Sequence, residues 1–193
     1  VSNNTIIKIA TVLPSGKMSR IRTVNVEKQT YAPAIKIDGV KSGLQMSRVK
    51  GNFLKVDDLN WTDAEWEKSI ICNLEQIKIQ RKDDGATLRG ANNYAAIAEG
   101  YINIPEDGVY YLSSRLEQVW IDNKLVVNNE GDVKASTMND SSVALAKGLH
   151  PIKVVFLANI IGGWPSWWSS TAIEMRKDNE KEFTAVGGSQ LFR

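Results

Sequence analysis

Short runs of alternating or β-branched residues dominate the hydrophobic pattern along the chain. No segment has apolar residues repeated at the helical period. The alternating runs instead place apolar residues two positions apart, where they share one face of a strand. From Leu74 onwards the runs follow one another at intervals of roughly 8 to 12 residues, which is typical of sandwiches and barrels. The pattern therefore predicts an all-β fold, an antiparallel β-sandwich. The predicted strands are residues 44–49, 95–104, 109–113, 117–121, 124–127, 142–146, 151–157, 172–176 and 182–186.

The first 34 residues form a separate predicted unit. Two strand-like runs, 5–13 and 19–27, flank a Pro-Ser-Gly-Lys sequence that is typical of a turn, so they predict a β-hairpin. The proline and small residues that follow, up to Ala34, indicate a linker. We therefore expect a domain boundary there, with residues 1–34 as one unit and residues 35–193 as the sandwich.

Two local signals add detail to this scheme. Thr62 and Glu65 form a predicted capping box, and the flanking Trp61 and Trp66 have the spacing of a hydrophobic staple, so one short helix is expected. Between the strands 117–121 and 124–127 lies an Asp-Asn pair. Both residue types tolerate positive φ, which favours a two-residue type I′ hairpin turn.

Charge and composition exclude several function classes. The 193 residues carry 24 Lys and Arg against 22 Asp and Glu, a net charge of +2. A net positive charge this small gives too weak an electrostatic field to attract phosphates or anionic lipid, so we expect no nucleic-acid partner. The apolar runs are shorter than the roughly 20 residues of a membrane-spanning helix, so we expect no membrane span. With one cysteine and one histidine, the chain lacks a histidine metal cage, and we expect no cofactor.

The two most reactive side-chain types both favour structural roles. His150 lies between a leucine and a proline at the start of a predicted core strand, far from the arrangement of a catalytic triad. Cys72 lies in an apolar run, so we expect a buried, unreactive thiol.

Adjacent acidic residues also favour turns over catalysis. The pairs are Asp57-Asp58, Asp83-Asp84 and Glu106-Asp107. Glycosidases place two carboxylates about 5 to 9.5 Å apart across the scissile bond. Neighbours on a strand point to opposite faces and do not meet this need. The sequence therefore offers no catalytic residue.

The tryptophans carry the remaining functional signal. Trp120 stands between two aliphatic residues of a predicted strand, so we expect it in the core. Trp164, Trp167 and Trp168 lie in a segment, 162–170, with the Gly, Pro and Ser content of a loop. Such a loop can bind a sugar, contact a neighbouring domain, or fold its rings into a small core of its own. These three tryptophans are the candidate ligand-binding residues, with Trp164 and Trp167 expected outside and Trp168 inside.

Three ordered motifs resemble one known family. Residues 99–110, 119–127 and 143–154 are similar to the opening strand, the aromatic-Ile-Asp-Gly-Lys turn and the passage of leucine, lysine, glycine, aromatic residue, histidine and proline of the protective-antigen-type domain. That domain is a β-sandwich found in toxin translocation subunits, yeast adhesins and glycosidases. With Gly43-Leu44 and the glycines after Ile161, the resemblance spans residues 36–193 and implies a jelly-roll-like sandwich.

The N-terminal segment resembles a second family. Residues 5–19 are similar to the last strands of the small sandwich that follows the catalytic barrel in bacterial β-N-acetylhexosaminidases of glycoside hydrolase family twenty. Together with Val1 in place of an initiator methionine, this implies the C-terminal accessory region of a longer, secreted or periplasmic bacterial glycosidase. Its expected partners are the upstream catalytic domain of the same parent chain and glycans that contain amino sugars. It would not be an enzyme by itself.

One departure from the family pattern concerns calcium. Family members that bind sugar through calcium carry two consecutive aspartates just before the strand that here spans 117–121, whereas this chain has Ser114 and Arg115. A guanidinium repels a cation that needs several oxygen ligands. The alternative function is therefore a calcium-independent glycan-recognition module of an adhesin- or toxin-like protein.

Overall fold

The structure is a computed structural model that describes residues 3–60, 66–78, 93–131 and 139–193. Within these ranges there are strands and short 3-10 helices, and no α-helix. The helix expected at Thr62–Glu65 and the acidic pair Asp83-Asp84 lie outside the described residues. The strands are β1 (Thr5–Ile9), β2 (Arg22–Val26), β3 (Leu44–Lys50), β4 (Glu67–Ile71), β5 (Tyr94–Ile104), β6 (Gly108–Ser114), β7 (Gln118–Ile121), β8 (Lys124–Asn128), β9 (Asn139–Leu145), β10 (Gly148–Ala158), β11 (Ile160–Ile161), β12 (Trp164–Pro165), β13 (Ile173–Lys177), β14 (Thr184–Ala185) and β15 (Leu191–Phe192). The 3-10 helices are Val56–Asp58, Leu74–Ile77, Ser166–Trp168 and Gly188–Gln190.

The chain divides into two compact units, residues 1–30 and 31–193. In the first unit, β1 and β2 pair antiparallel, which confirms the predicted hairpin. The turn is closed by the Leu13 amide, which donates to the Lys17 carbonyl at 2.9 Å. An isolated two-stranded sheet is marginally stable in water. This one also exposes large apolar side chains, among them Ile6 at 66% and Ile9 at 56%.

The division falls before the boundary expected near Ala34, which stays a prediction. The Ala32 amide donates to the Ala144 carbonyl at 2.9 Å, and the Ala146 amide donates to the Ala32 carbonyl at 2.9 Å. The Ile35 amide donates to the Leu149 carbonyl, also at 2.9 Å. The segment that the sequence indicates as a linker therefore pairs with the second unit.

The second unit is an antiparallel β-sandwich, as predicted. Its larger sheet has the strand order β4-β3-β5-β10-β7-β8, with β15 also paired to β5, and its smaller sheet has the order β14-β13-β6-β9. One buried cluster joins the two sheets; it includes Ile102 and Val154 from the larger sheet and Leu112 and Ile173 from the smaller. All four side chains have no exposed surface.

A second, smaller core lies on the other face of the larger sheet. Because strand neighbours point to opposite faces, β10 sends Val154 and Phe156 into the main core and Val155 and Leu157 into the second one. The segment around Val56 covers this second core. Burial on both faces explains why this part of β10 is a continuous apolar run.

The last strand, β15, pairs with β5 in the larger sheet and lies beside residues 41–43. Phe192 on β15 pairs with Tyr101, and a Cβ on Gly100 would lie 2.2 Å from the Phe192 carbonyl oxygen, so only glycine permits this approach. The Arg193 amide donates to the Lys41 carbonyl at 2.8 Å, and the Lys41 amide donates back at 2.9 Å. The segments 41–43 and 191–193 therefore lie side by side.

His150 is a structural residue, as predicted. Its imidazole is fully buried, with Nδ1 2.7 Å from Asp122 Oδ2 and Nε2 2.8 Å from the Ala146 carbonyl oxygen. Asp122 and Asn123 have φ values of 50° and 61°, which confirms the expected two-residue turn with both residues at positive φ. The imidazole thus ties the β7–β8 turn to the β9–β10 connection.

Two sequence expectations about burial are wrong. Cys72 is exposed, because it follows the edge strand β4 in the turn that leads to the helix Leu74–Ile77. Trp120 is only partly buried. Its neighbours Val119 and Ile121 are both fully buried, so strand alternation directs the residue between them away from the core.

The Asp122 contact yields a stability prediction. Asp122→Ala should lower the free energy of unfolding by about 1–3 kcal/mol more than Asn123→Ala, because a buried imidazole nitrogen loses its partner. Asn123→Ala is the matched control, since it places alanine at the other positive-φ position and keeps the His150 contact. Urea denaturation measures both values. Equal losses would contradict the proposed tie between the turn and His150.

Candidate functional site

The tryptophan-rich segment is a small hairpin followed by a turn of 3-10 helix. Ile160 on β11 pairs with Pro165 on β12, and Gly162 and Gly163 make the turn at φ values of 56° and 82°. This left-handed region favours glycine. Ser166 then anchors the segment, because its Oγ donates to the Leu157 carbonyl at 2.7 Å. The end of β10 therefore positions the loop.

Trp164 and Trp168 form an exposed aromatic pair. Their side chains are 51% and 60% exposed, and the rings meet edge to face with centroids 6.0 Å apart and planes at 79°. This geometry is a favourable one for two aromatic rings. The pair therefore exposes indole surface to solvent in the loop 162–170.

Trp167 packs against the main core instead, so the expected orientations of Trp167 and Trp168 are wrong. The expectation assumed that adjacent residues alternate as in a strand. Residues 166–168 form a 3-10 helix, in which successive side chains are about 120° apart. The turn directs Trp167 inward and leaves Trp168 facing solvent.

Both exposed rings line a cleft of about 400 Å³. Arg115, from the connection between β6 and β7, and Glu174, on β13, contribute charges of opposite sign to its wall. Ser169, Ser170 and Ala172 complete the lining. The cleft, which we call the Trp164–Trp168 cleft, combines an apolar surface with hydrogen-bond donors and acceptors.

A distant segment holds the base of this cleft in place. Ser170 Oγ and the Thr171 amide each donate to Glu75 Oε1 at 2.8 Å. Lys78 Nζ donates to the Ser169 carbonyl at 3.0 Å and also pairs with Glu75. The short helix Leu74–Ile77 and the residue that follows it therefore clamp residues 169–171.

These contacts affect the ionisation of Glu75. Burial by itself raises the pKa of the carboxyl, but the hydrogen bonds from Lys78, Ser170 and Thr171 outweigh burial and hold the pKa below its ordinary range. The clamp therefore depends on the ionised carboxylate.

The position expected for calcium ligands does not suit the ion. Ser114 is fully buried, and its Oγ donates to the Ala172 carbonyl at 2.9 Å and accepts from the Leu116 amide at 3.2 Å. The next side chain, Arg115, is a cation in the cleft wall. Within the part of the chain that the structure describes, no group of three His, Cys, Asp or Glu side chains has a metal-binding arrangement.

Of the described acidic pairs, Glu106-Asp107 occupies a turn, as predicted, whereas Asp57-Asp58 ends the 3-10 helix Val56–Asp58. Asp58 Oδ2 accepts from the Lys55 amide at 2.9 Å, and Asp107 Oδ1 accepts from the Lys147 amide at 2.6 Å. Glu106 pairs with Lys177 at 3.1 Å. These carboxylates fix local backbone geometry at separate places in the fold.

The family follows from a sequence comparison. A family model described as PA14 domain matches residues 74–181, more than half of the chain. The chain belongs to the PA14 domain family. Several solved structures share the fold of this PA14 chain, and two of them are compared with it. The PA14 domain of the antifreeze protein MpAFP has a TM-score of 0.55 at 12% identity, with 86% of this chain and 96% of that chain covered.

The second structure is the subtype-switched epithelial adhesin 9 to 1 A domain from Candida glabrata, solved in complex with beta-lactose. It has a TM-score of 0.53 at 14% identity, with 84% of this PA14 chain and 92% of that chain covered. At these identities the likeness concerns the fold alone.

A curated relative extends over both units. The PA14 chain is 36% identical over 188 residues to a beta-hexosaminidase from Porphyromonas gingivalis (strain ATCC BAA-308 / W83), and the match covers 97% of the chain. The chain spans about a quarter of that protein, 24% of its length. These matches confirm the interpretation as an accessory region. Among the described residues, no helix is long and apolar enough to cross a membrane.

Sequence reasoning did not find all of the cleft. In the sequence, Arg115 stands out only as a departure from a calcium motif, and no sequence pattern indicates Glu174. Glu75 contacts residues 95 positions away in the chain at Ser170, and no local pattern reports such a contact.

The burial of the three tryptophans yields a second prediction. Trp167→Ala should lower the free energy of unfolding by about 3 kcal/mol, because it removes a ring packed on the main core. Trp164→Ala and Trp168→Ala should each lower it by less than about 1 kcal/mol, because their rings are largely exposed. Denaturant unfolding of the three variants measures this order. A larger loss for Trp168→Ala than for Trp167→Ala would contradict the described orientations.

The clamp yields a prediction about pH. Because the folded state favours ionised Glu75, its contribution to stability is full above the ordinary glutamate pKa and is lost as the pH falls through the lowered value. Wild type should therefore have a higher melting temperature than Glu75→Gln at neutral pH, and the difference should shrink as the pH falls below the ordinary glutamate pKa of about 4.3. Asp57→Asn, at an exposed acid, is the control. A difference that grows towards acid would contradict the sign.

Proposed function

We propose that this chain is a glycan-binding accessory region of a secreted or periplasmic bacterial glycoside hydrolase, and that the Trp164–Trp168 cleft holds the sugar. The observation that carries the proposal is the exposed indole pair beside charges of both signs. We also infer that the protective-antigen-type sandwich and the PA14 domain are one architecture. The partner in this proposal is the catalytic domain of the same parent chain.

The cleft has the chemistry that sugar recognition needs. Indole surfaces offer large apolar area at low entropic cost, and the C–H face of a pyranose ring is apolar. Arg115 donates hydrogen bonds, while the Glu174 carboxylate accepts them from hydroxyl groups. A volume of about 400 Å³ is within the usual range of ligand clefts, about 300–1,000 Å³.

The relatives support a glycan as the ligand. The adhesin domain of similar fold was solved with beta-lactose, and the curated relative is a beta-hexosaminidase. An enzyme of that name acts on amino sugars, so glycans that contain N-acetylated amino sugars are the first candidates. The accessory region would then hold substrate near the catalytic domain.

A second candidate is a calcium-independent glycan-recognition module of an adhesin- or toxin-like protein. Ser114 and Arg115 favour it, because the hydroxyl is already bonded within the fold and the guanidinium faces the cleft. This candidate uses the same cleft and differs only in the parent protein. A third possibility is that the exposed rings brace the catalytic domain.

Sugar binding can be measured by isothermal titration with chitotriose, N-acetyllactosamine and lactose. Trp164→Ala and Trp168→Ala should each weaken binding about tenfold, because each removes a stacking surface. Tyr31→Ala removes an aromatic residue that is 45% exposed outside the cleft and should leave binding unchanged. Chelation of calcium should have no effect.

Three outcomes would contradict the proposal. They are unchanged sugar affinity in both tryptophan variants, loss of binding on chelation, and hydrolysis of an aryl β-N-acetylglucosaminide by the chain itself. If the tryptophan variants instead lose association with the catalytic domain and no sugar binds, the bracing function replaces the glycan site.

A further inference from the structure

The outer face of the larger sheet changes character along its strands. At one end Ala95 and Val155 lie buried in the second core, beneath the segment around Val56. Beyond that cover, the same face carries Glu99 and Lys153. The uncovered half of this face is polar, so it can contact water or a polar ligand.

Four neighbouring strands place four functional groups in one row. Gln45 on β3 pairs with Glu99 on β5, Glu99 pairs with Lys153 on β10, and Lys153 pairs with Trp120 on β7. Neighbouring strands lie about 4.8 Å apart, so the row is about 14 Å long. It presents an amide, a carboxylate, an ammonium group and an indole in that order.

The indole of this row is held in a defined orientation. Trp120 Nε1 donates to Gln118 Oε1 at 3.0 Å, and Lys153 Nζ lies 5.0 Å from the ring centroid. The ring is partly exposed, and all four groups line a cleft of about 530 Å³. A side chain that is fixed before binding loses little conformational entropy when a ligand arrives.

We propose that this row, the Gln45–Trp120 row, is a second saccharide-binding site that takes an extended neutral oligosaccharide. Hydroxyl groups of the ligand donate to the Glu99 carboxylate and accept from the Lys153 ammonium and the Gln45 amide. The C–H face of one sugar ring packs on the part of the indole beside the ammonium. The site is independent of the Trp164–Trp168 cleft, because the two clefts share no lining residue.

The composition of the row favours a sugar over a protein partner. Cores of protein interfaces are depleted in charged residues, whereas this row has a carboxylate and an ammonium at its centre. None of the side chains that line the cleft is among the exposed large apolar residues of the described chain. An aromatic ring at the end of a row of polar groups gives a ligand one apolar surface and several hydrogen-bond partners, which is the combination that a sugar ring can use.

The test follows the indole N–H signals of the tryptophans by NMR in the intact chain labelled at tryptophan nitrogen. Each of the six tryptophans gives its own signal, assigned by Trp→Phe variants. The probes are cellotriose, chitotriose and lactose, each added up to about 10 mM, enough to detect weak binding. The Trp120 signal should move and saturate, both in wild type and in Trp164→Ala.

Variants of the row sharpen the test. Glu99→Gln and Lys153→Met should each raise the dissociation constant read at Trp120 about tenfold, the usual effect of losing a charged hydrogen bond. Lys124→Met, an exposed lysine outside the cleft on the same β7–β8 hairpin, is the matched control and should have no effect. Unchanged signals of the remaining tryptophans in each variant establish that it is folded.

Four results would overturn the second site. One is a Trp120 signal that no probe moves, and another is a movement that disappears in Trp164→Ala. The third is wild-type affinity in both Glu99→Gln and Lys153→Met. The last is a Trp120 signal that moves only when the catalytic domain is added, which would make the row a protein interface. A failure of the Trp164–Trp168 cleft alone leaves the Trp120 titration intact.

Discussion

The pairing of β5 with β10 is the constraint on which the sandwich depends. The two strands lie at the centre of the larger sheet and are in register from Gly148–Ile104 to Ala158–Tyr94. Because each strand alternates, this one ladder contributes residues to the main core on its inner face, and to both the second core and the Gln45–Trp120 row on its outer face. Where β10 ends, the tryptophan loop begins, so the ladder also sets the position of the Trp164–Trp168 cleft.

Contacts between remote segments complete what the ladder begins. Ser166 fixes the inner side of the tryptophan loop to the end of β10, whereas Glu75 and Lys78 fix its outer end from a different part of the chain. A loop that is held at both ends can keep its aromatic rings exposed, because it is not free to fold them back against the protein. The polar contacts at the two ends of the loop therefore hold Trp164 and Trp168 in their exposed positions.

The sequence predicted the strands well because alternation and turn chemistry are local properties. The Asp122-Asn123 turn and the structural place of His150 followed from such patterns. Side-chain direction was less predictable. Trp120 faces outward because both of its neighbours are core residues, and Trp167 and Trp168 follow a 3-10 turn that loop composition does not indicate. The clamp by Glu75 joins residues distant in sequence, and no local sequence pattern carries a signal for it.

The neighbouring positions of segments 41–43 and 191–193 have an architectural consequence. Lys41 and Arg193 exchange backbone hydrogen bonds, so residues 191–193 lie beside a segment about ten residues after the start of the second unit. A body in which segments near its two ends lie side by side can be inserted into a surface loop of another protein through short connections. The same geometry would let the sandwich be circularly permuted, with new ends made at an exposed turn such as Pro105–Asp107.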